Sequence, residues 1–249
     1  MPKINVYLPD ALAAAVKDAG VPVSAVCQAA LSDAVHQIGR ARGAIAALRD
    51  PATPAATLRL IADVTQSRMT ARLTTALQTA ATDPAGQART VVSSLDLLRA
   101  LLDEGENLAV RLMVSQGVDV DALTTVAADS GADEALPSLS GPHDTLLERL
   151  TMPARSACAA ALETTLKLGH NYIGCEHLLI GLAACDGRAN ELLADRGTDA
   201  ASLRQALSGA AAGIIHERSR AAGPGAGELA DVVRRLEAIE RQLAGSAQP

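Results

Sequence analysis

The chain of 249 residues contains no Trp and no Phe, and only two Tyr. A core built on large rings is therefore excluded, and abundant Ala and Leu favour closely packed helices over a sheet sandwich. Lysine is nearly as scarce, with Lys3, Lys17 and Lys167 against 19 Arg. None of the three follows a glycine and precedes Ser or Thr, as a phosphate-binding Walker loop requires, so no ATP hydrolysis by that route is expected. Cys27, Cys158, Cys175 and Cys185 form no Cys-x-x-Cys pair and read as reduced, buried thiols. No apolar run approaches the roughly 20 residues of a membrane span. The polar start Met1-Pro2-Lys3-Ile4-Asn5 is no signal peptide, so a cytoplasmic protein without membrane contact is expected.

What the chain does have is an internal repeat. Thr70 to Asp96 falls without a gap on Thr151 to His177, 81 residues later, placing Ala76 on Ala157, Ala80 on Ala161 and Leu97-Leu98 on Leu178-Leu179. With one deletion, Gly105-Glu106-Asn107-Leu108-Ala109 then answers Gly187-Arg188-Ala189. Two copies suggest a paired module, since an extended solenoid needs three or more units to bury its faces. Charge divides unevenly: +2 over residues 1–68, −8 over 69–213 and zero over 214–249, for a net −6. An acidic repeat module suits guanidinium-bearing ligands and disfavours a polyanion, or the charge serves solubility alone.

Before the repeats, Lys3-Ile4-Asn5-Val6-Tyr7-Leu8 alternates as a short strand with Ile4, Val6 and Leu8 on one face. Asp10 then caps a helix over Ala11–Ala19 that Gly20 closes. A second helix starts near Val23 or Ser24, turns Val26, Cys27, Ala30, Leu31 and Val35 inward, and ends near Gly39. The strand needs a partner, which a second chain can supply. Residues 41–68 read as helical connectors broken at Asp50-Pro51-Ala52-Thr53-Pro54, with Thr53 capping the following helix. Residues 129–144 are rich in breakers and join the repeats. Residues 214–227 form a linker, and 228–245 place Leu229, Val232, Leu236, Ile239 and Leu243 on one face of an amphipathic helix.

Residues 1–40 resemble a ribbon-helix-helix DNA-binding unit, with Gly20 and Ser24 at the turn and second helix start. The resemblance implies that Lys3, Asn5 and Tyr7 face base edges and that the amides near Val23-Ser24 meet a phosphate. A purely dimerising ribbon is the alternative. The run Leu168-Gly169-His170-Asn171-Tyr172-Ile173-Gly174-Cys175-Glu176-His177-Leu178-Leu179 resembles the signature of the Clp N-terminal repeat, over about residues 69–213. That resemblance implies a mainly α fold of two pseudo-symmetric four-helix repeats, about 69–128 and 150–213. It also implies a role fronting ClpC and ClpA unfoldases, receiving substrates, adaptors and, in ClpC-type proteins, phosphoarginine. With no ATPase modules, the whole chain resembles short ClpC-like proteins of actinobacteria.

Carried over residue by residue, the resemblance assigns ligand binding to Glu176, which holds a guanidinium, and Thr151, at the start of the first helix. Repeat 1 keeps Thr70, but Leu95 stands where Glu176 stands, so at most one pocket survives. Cys175 replaces a capping Thr, and Leu150 stands where a Phe usually begins the repeat. Glu176 is expected to stay exposed at its helix start; alternatively Glu176 and His177 only stabilise that start. His170, Cys175, His177 and Cys185 match no standard zinc spacing, so neither metal nor cofactor is expected, and no catalytic site is evident. The reading is a non-enzymatic binding protein, a homodimer through its N-terminus with possible DNA contact. It captures ClpC substrates, phosphoarginine or cyclic-peptide antibiotics as decoy or sensor. Alternatives are an adaptor docking on ClpC and an autoregulatory transcription factor.

Overall fold

The computed structural model describes residue 5, residues 7–131, residue 134 and residues 144–209. Among these the regular elements are helices, joined by three isolated β-bridges. Half of the expected strand, Lys3, Ile4 and Val6, lies outside the described residues; Asn5, Tyr7 and Leu8 are described and carry no strand. The linker at 214–227 and the amphipathic helix at 228–245 also lie outside them.

Helices α1 (Asp10–Asp18) and α2 (Val23–Arg49) open the chain, followed by α3 (Ala55–Gln66). Two expectations are corrected here. Helix α2 does not stop near Gly39 but runs through Gly39 and Gly43 to Arg49. Its last turns bury Ala41, Ile45 and Leu48, and Arg49 pairs with Glu163 at 2.7 Å. That packing outweighs the cost of about 1 kcal/mol for each helical glycine. Thr53 does not cap α3, whose N-cap is Pro54; its hydroxyl instead donates to Ala47 O at 2.6 Å, closing the end of α2. The apolar residues of the earlier part of α2 stay uncovered, with Val26, Leu31 and Val35 half to two-thirds exposed.

The first repeat comprises α4 (Ala71–Ala80), α5 (Ser94–Glu104), α6 (Leu108–Ser115) and α7 (Val120–Asp129). A single turn, α8 (Leu146–Arg149), precedes the second: α9 (Met152–Leu168), α10 (Cys175–Leu182), α11 (Arg188–Ala194) and the helical residues 200–209. Within each repeat the first helix packs on the second, α4 on α5 and α9 on α10. Between repeats the packing crosses over: α10 lies on α6, and α11 on α5. The two repeats consequently share one apolar core.

Small residues set the spacing inside that core. A Cβ at Gly181 would stand 2.1 Å from Ala157 O, so α9 and α10 approach at van der Waals distance through Ala and Gly. At the equivalent position repeat 1 has Ala100, also buried. Near the start of α9, the fully buried Arg155 donates from Nε to Leu147 O at 3.1 Å and from Nη2 to Glu148 O at 3.4 Å. The Glu148 carboxylate accepts from Arg59 Nε and Thr145 N, both at 2.7 Å. These buried charges persist because each is paired or hydrogen-bonded, and together they fix the turn that leads into Thr151.

Gly181→Ala is expected to destabilise the fold by about 3 kcal/mol, because backbone rather than a flexible side-chain end must give way. Ala100→Gly in repeat 1 should cost only about 1 kcal/mol. Urea unfolding of both variants checks the ranking, and a harmless Gly181→Ala would contradict the close approach.

Candidate functional site

Each repeat offers its first-helix N-terminus to the loop of the other. Thr70 N donates to Ile173 O at 2.9 Å and Ile173 N to Arg68 O at 2.8 Å. In the equivalent pairing, Thr151 N donates to Val92 O at 3.0 Å and Val92 N to Arg149 O at 2.8 Å. The side chains follow the same symmetry: Arg68 reaches His170 O, and Arg149 reaches Arg89 O. Thr70 is thereby set beside the Ile173–Glu176 loop, and Thr151 beside Val92–Leu95. The two residues assigned to one pocket, Thr151 and Glu176, belong to opposite pairings.

At the Thr151 pairing, hydrogen-bond donors converge on one carboxylate, that of Glu134. Ser94 N donates to its Oε2 at 2.8 Å and Thr151 Oγ1 to the same oxygen at 2.6 Å. Ser94 Oγ donates to Oε1, as does Arg188 N at 3.2 Å. Ala189 N completes the ring by donating to Ser94 Oγ at 3.3 Å. Ser94 and Thr151 are buried, and the donated amides are the free N–H groups that helix starts leave over. Gly187 makes the opening: at φ 147° its backbone favours glycine, and a Cβ there would lie 2.9 Å from Ser94 Oγ and 3.1 Å from Glu134 Oε1. The arrangement is an anion cradle made jointly by both repeats.

The other pairing is differently furnished. Cys175 stands where Ser94 stands and is a buried thiol pushed up to about 12, by burial first and then by the Glu176 charge. The N-cap of α6 is Asn107, whereas α11 has Gly187. Asn107 turns its amide into the core, donating to Leu101 O at 2.7 Å. Glu176 is not exposed as expected: it is 4% accessible, and its carboxylate folds back over Gly174, where a Cβ would lie 2.3 Å from Oε2. Burial raises its pKa, and Oε1 has no hydrogen-bond partner. Leu95 at the matching position is fully buried. This position faces inward in both repeats, which explains why a leucine is accepted there.

His177 serves as a helix cap. Its Nδ1 accepts from Gly174 N at 3.0 Å, the role that Asp96 plays for Ser93 N at 2.9 Å in repeat 1. With Nδ1 accepting, the ring proton sits on Nε2 and points to His170 Nδ1, 2.8 Å away. Burial first, and then the neighbouring His170 ring and Arg68 guanidinium, push the His177 pKa down to about 4. Its 3.3 Å approach to Glu176 Oε1 is therefore no ion pair. Tyr172 stacks on His170 at 5.2 Å and is pushed up to about 12 by burial and by Glu176.

A separate apolar groove of about 340 Å3 lies beside α3, α4 and α9, lined by Ile61, Met69, Leu73, Leu77, Leu147 and Leu162 among others. Of the residues expected to meet DNA, Asn5, Tyr7 and Ser24 are exposed, and Lys3 lies outside the described residues. Among the described residues no group of three His, Cys, Asp or Glu could hold a metal ion, and no helix is long and apolar enough to cross a membrane. Sequence reasoning did not single out Ser94, Glu134, Gly187 or Arg188. The repeat register does place Ser94 opposite Cys175 at a helix start, but Glu134 sits in a breaker-rich segment without any pattern to mark it.

A profile of the family described as Clp repeat (R) N-terminal domain matches residues 149–247. Over 138 residues the chain is 30% identical to the chloroplastic chaperone protein ClpC2 of Oryza sativa subsp. japonica, a match covering 55% of this chain and 14% of that protein. Over 115 residues it is 31% identical to the chloroplastic ATP-dependent Clp protease ATP-binding subunit ClpA homolog of Brassica napus, covering 45% of this chain and 12% of that one. The matched part is thus a small fraction of these relatives' length. The N-terminal domain of the caseinolytic protease associated chaperone ClpD from Arabidopsis thaliana aligns with a TM-score of 0.40 and 23% identity, over 56% of this chain and 92% of that one.

Two neighbouring buried groups, His177 and Glu176, pull stability in opposite directions. His177 gains its proton near 6.5 in the unfolded chain but only near 4 when folded, so between these values stability falls as the pH falls, by up to about 3 kcal/mol. Glu176, raised by burial, contributes stability below its ordinary value of 4.5 that is lost as the pH rises through its folded value. Glu176→Gln should therefore raise the thermal midpoint at neutral pH. His177→Gln, which keeps an acceptor for Gly174 N, should flatten the acid slope. Melting curves from neutral pH to pH 4 check both, and a lower midpoint for Glu176→Gln at neutral pH would contradict the burial argument.

Proposed function

With residues 149–247 a Clp repeat N-terminal domain, a protein-interaction module, we propose that this chain captures protein segments of the kind Clp unfoldases receive and does not process them. The observation that carries this reading is the convergence of Ser94 N, Ser94 Oγ, Thr151 Oγ1 and Arg188 N on one carboxylate. Such a set recognises a compact anionic group through short, charge-assisted bonds, and a phosphoryl group suits it. Phosphoarginine-marked protein is the ligand taken here, its phosphoryl group entering the cradle, with the chain acting as a decoy or sequestering partner. Thr151 is then a direct contact. Glu176, turned inward over Gly174 in the opposite pairing, takes no part in that contact.

Calorimetry with free phosphoarginine ranks the two residues. One site per chain is expected, weakened at least tenfold by Thr151→Val, which removes the hydroxyl at nearly constant shape, and little changed by Glu176→Ala. The reverse ranking would move the site to the Glu176 pocket. No binding by the wild-type chain would turn attention to the apolar groove, whose leucine and methionine lining favours a second class of ligand, an apolar peptide such as a cyclic-peptide antibiotic.

The N-terminal residues carry a separate role. Leu12, Val26, Leu31, Val35 and Ile38 are 40% or more exposed on α1 and α2, an apolar surface suited to a second copy of the chain. Dimerisation through residues 1–40, with DNA met by Lys3, Asn5, Tyr7 and Ser24, is the reading this surface supports. The full chain should run as a dimer at micromolar concentration in sedimentation. A chain starting at Ala41, which keeps the buried end of α2, should be a folded monomer. A monomeric full chain would rule the dimer out.

A further inference from the structure

The cradle's donors come from three separate places in the chain, whereas its carboxylate comes from the segment between the repeats. Glu134 is 40 residues from Ser94, 17 from Thr151 and 54 from Arg188. The donors exist whether or not Glu134 is there. Ser94 N and Arg188 N are first-turn amides of α5 and α11, and the Thr151 hydroxyl is held at the start of α9 by the backbone pairing with Val92. Buried amides and hydroxyls left without an acceptor are costly, so the cradle requires an anion or water at all times. Gly187 keeps the space open where any side chain would press on Ser94 Oγ and on the carboxylate.

We infer that Glu134 is an internal occupant of the cradle, a stand-in for the acidic group of a ligand, and that an external ligand binds by displacing it. This rests on the proposed role of the cradle in capture. A carboxylate tethered by its own chain is present at a high effective concentration, so the apparent affinity for an outside ligand falls by the fraction of time the cradle is filled. A phosphoryl group competes well because it offers three acceptor oxygens and up to two negative charges against the carboxylate's two oxygens and one charge. A free monocarboxylate offers no such advantage over the tethered one. The inter-repeat segment thereby sets a threshold: weakly acidic groups are refused and phosphoryl-bearing ones admitted.

The test compares the full chain with Glu134→Ala, after far-UV circular dichroism shows that the variant keeps its helices. Phosphoarginine is titrated into each by calorimetry, and the amide resonances of Ser94 and Arg188 are followed by NMR with and without it. Glu134→Ala is expected to bind about tenfold more tightly. Without ligand, its Ser94 and Arg188 amides should shift away from their wild-type positions, and saturating phosphoarginine should bring the amides of both proteins to a common position. Binding of equal strength in both proteins, with unmoved amides, overturns the internal occupant and leaves the capture reading standing. If neither protein binds, the capture reading fails, and the amide shifts of the unliganded variant still decide whether Glu134 fills the cradle.

Discussion

Four backbone hydrogen bonds hold the rest of the structure in place: Thr70 N to Ile173 O, Ile173 N to Arg68 O, Thr151 N to Val92 O and Val92 N to Arg149 O. They lash the start of each repeat's first helix to the loop before the second helix of the other repeat. Because the loops are exchanged, neither repeat owns a complete pocket, and α10 and α11 can cross onto α6 and α5 to close one shared core. Arg68 and Arg149, 81 residues apart like the repeats themselves, clamp the two loops in the same way. Every donor in the cradle is positioned by one of these ties or by a helix that packs on it.

The same framework yields two unlike pockets because a few substitutions change what lines them. Ser94 brings a hydroxyl where Cys175 brings a thiol, and Gly187 leaves room where Asn107 fills it and turns inward. The inward position is occupied by Leu95 in one repeat and Glu176 in the other, both buried. Leucine is the inexpensive choice there. Glu176 retains an unsatisfied oxygen and a raised pKa, the signs of a carboxylate kept in an unfavourable place.

Much of the helical module was legible in the sequence. The 81-residue register aligned Ala76 with Ala157 and Ala80 with Ala161, and all four are buried; Gly169, in the run that follows, ends α9 as a left-handed cap at φ 68°. The length of α2 was not legible, because the glycines at 39 and 43 are overruled by burial of Ala41, Ile45 and Leu48, a tertiary effect that local propensity cannot anticipate. The exposure of Glu176 was misjudged for a similar reason: a helix start faces solvent by default, and only the exchanged loop buries this one. The pairing of Thr151 with Ser94 instead of Glu176 depends on which repeat's loop each helix start meets. No spacing within one repeat encodes that.

Thr151 and Glu134, joined through one hydrogen bond of 2.6 Å, are parts of a single anion cradle. A double-mutant cycle of Thr151→Val and Glu134→Ala, read by urea unfolding, tests it most directly, because Thr151 also caps α9 and single variants mix the two roles. Coupling of about 1 kcal/mol or more between the two positions is the predicted result. Strictly additive effects would mean that the carboxylate does not occupy the cradle in solution.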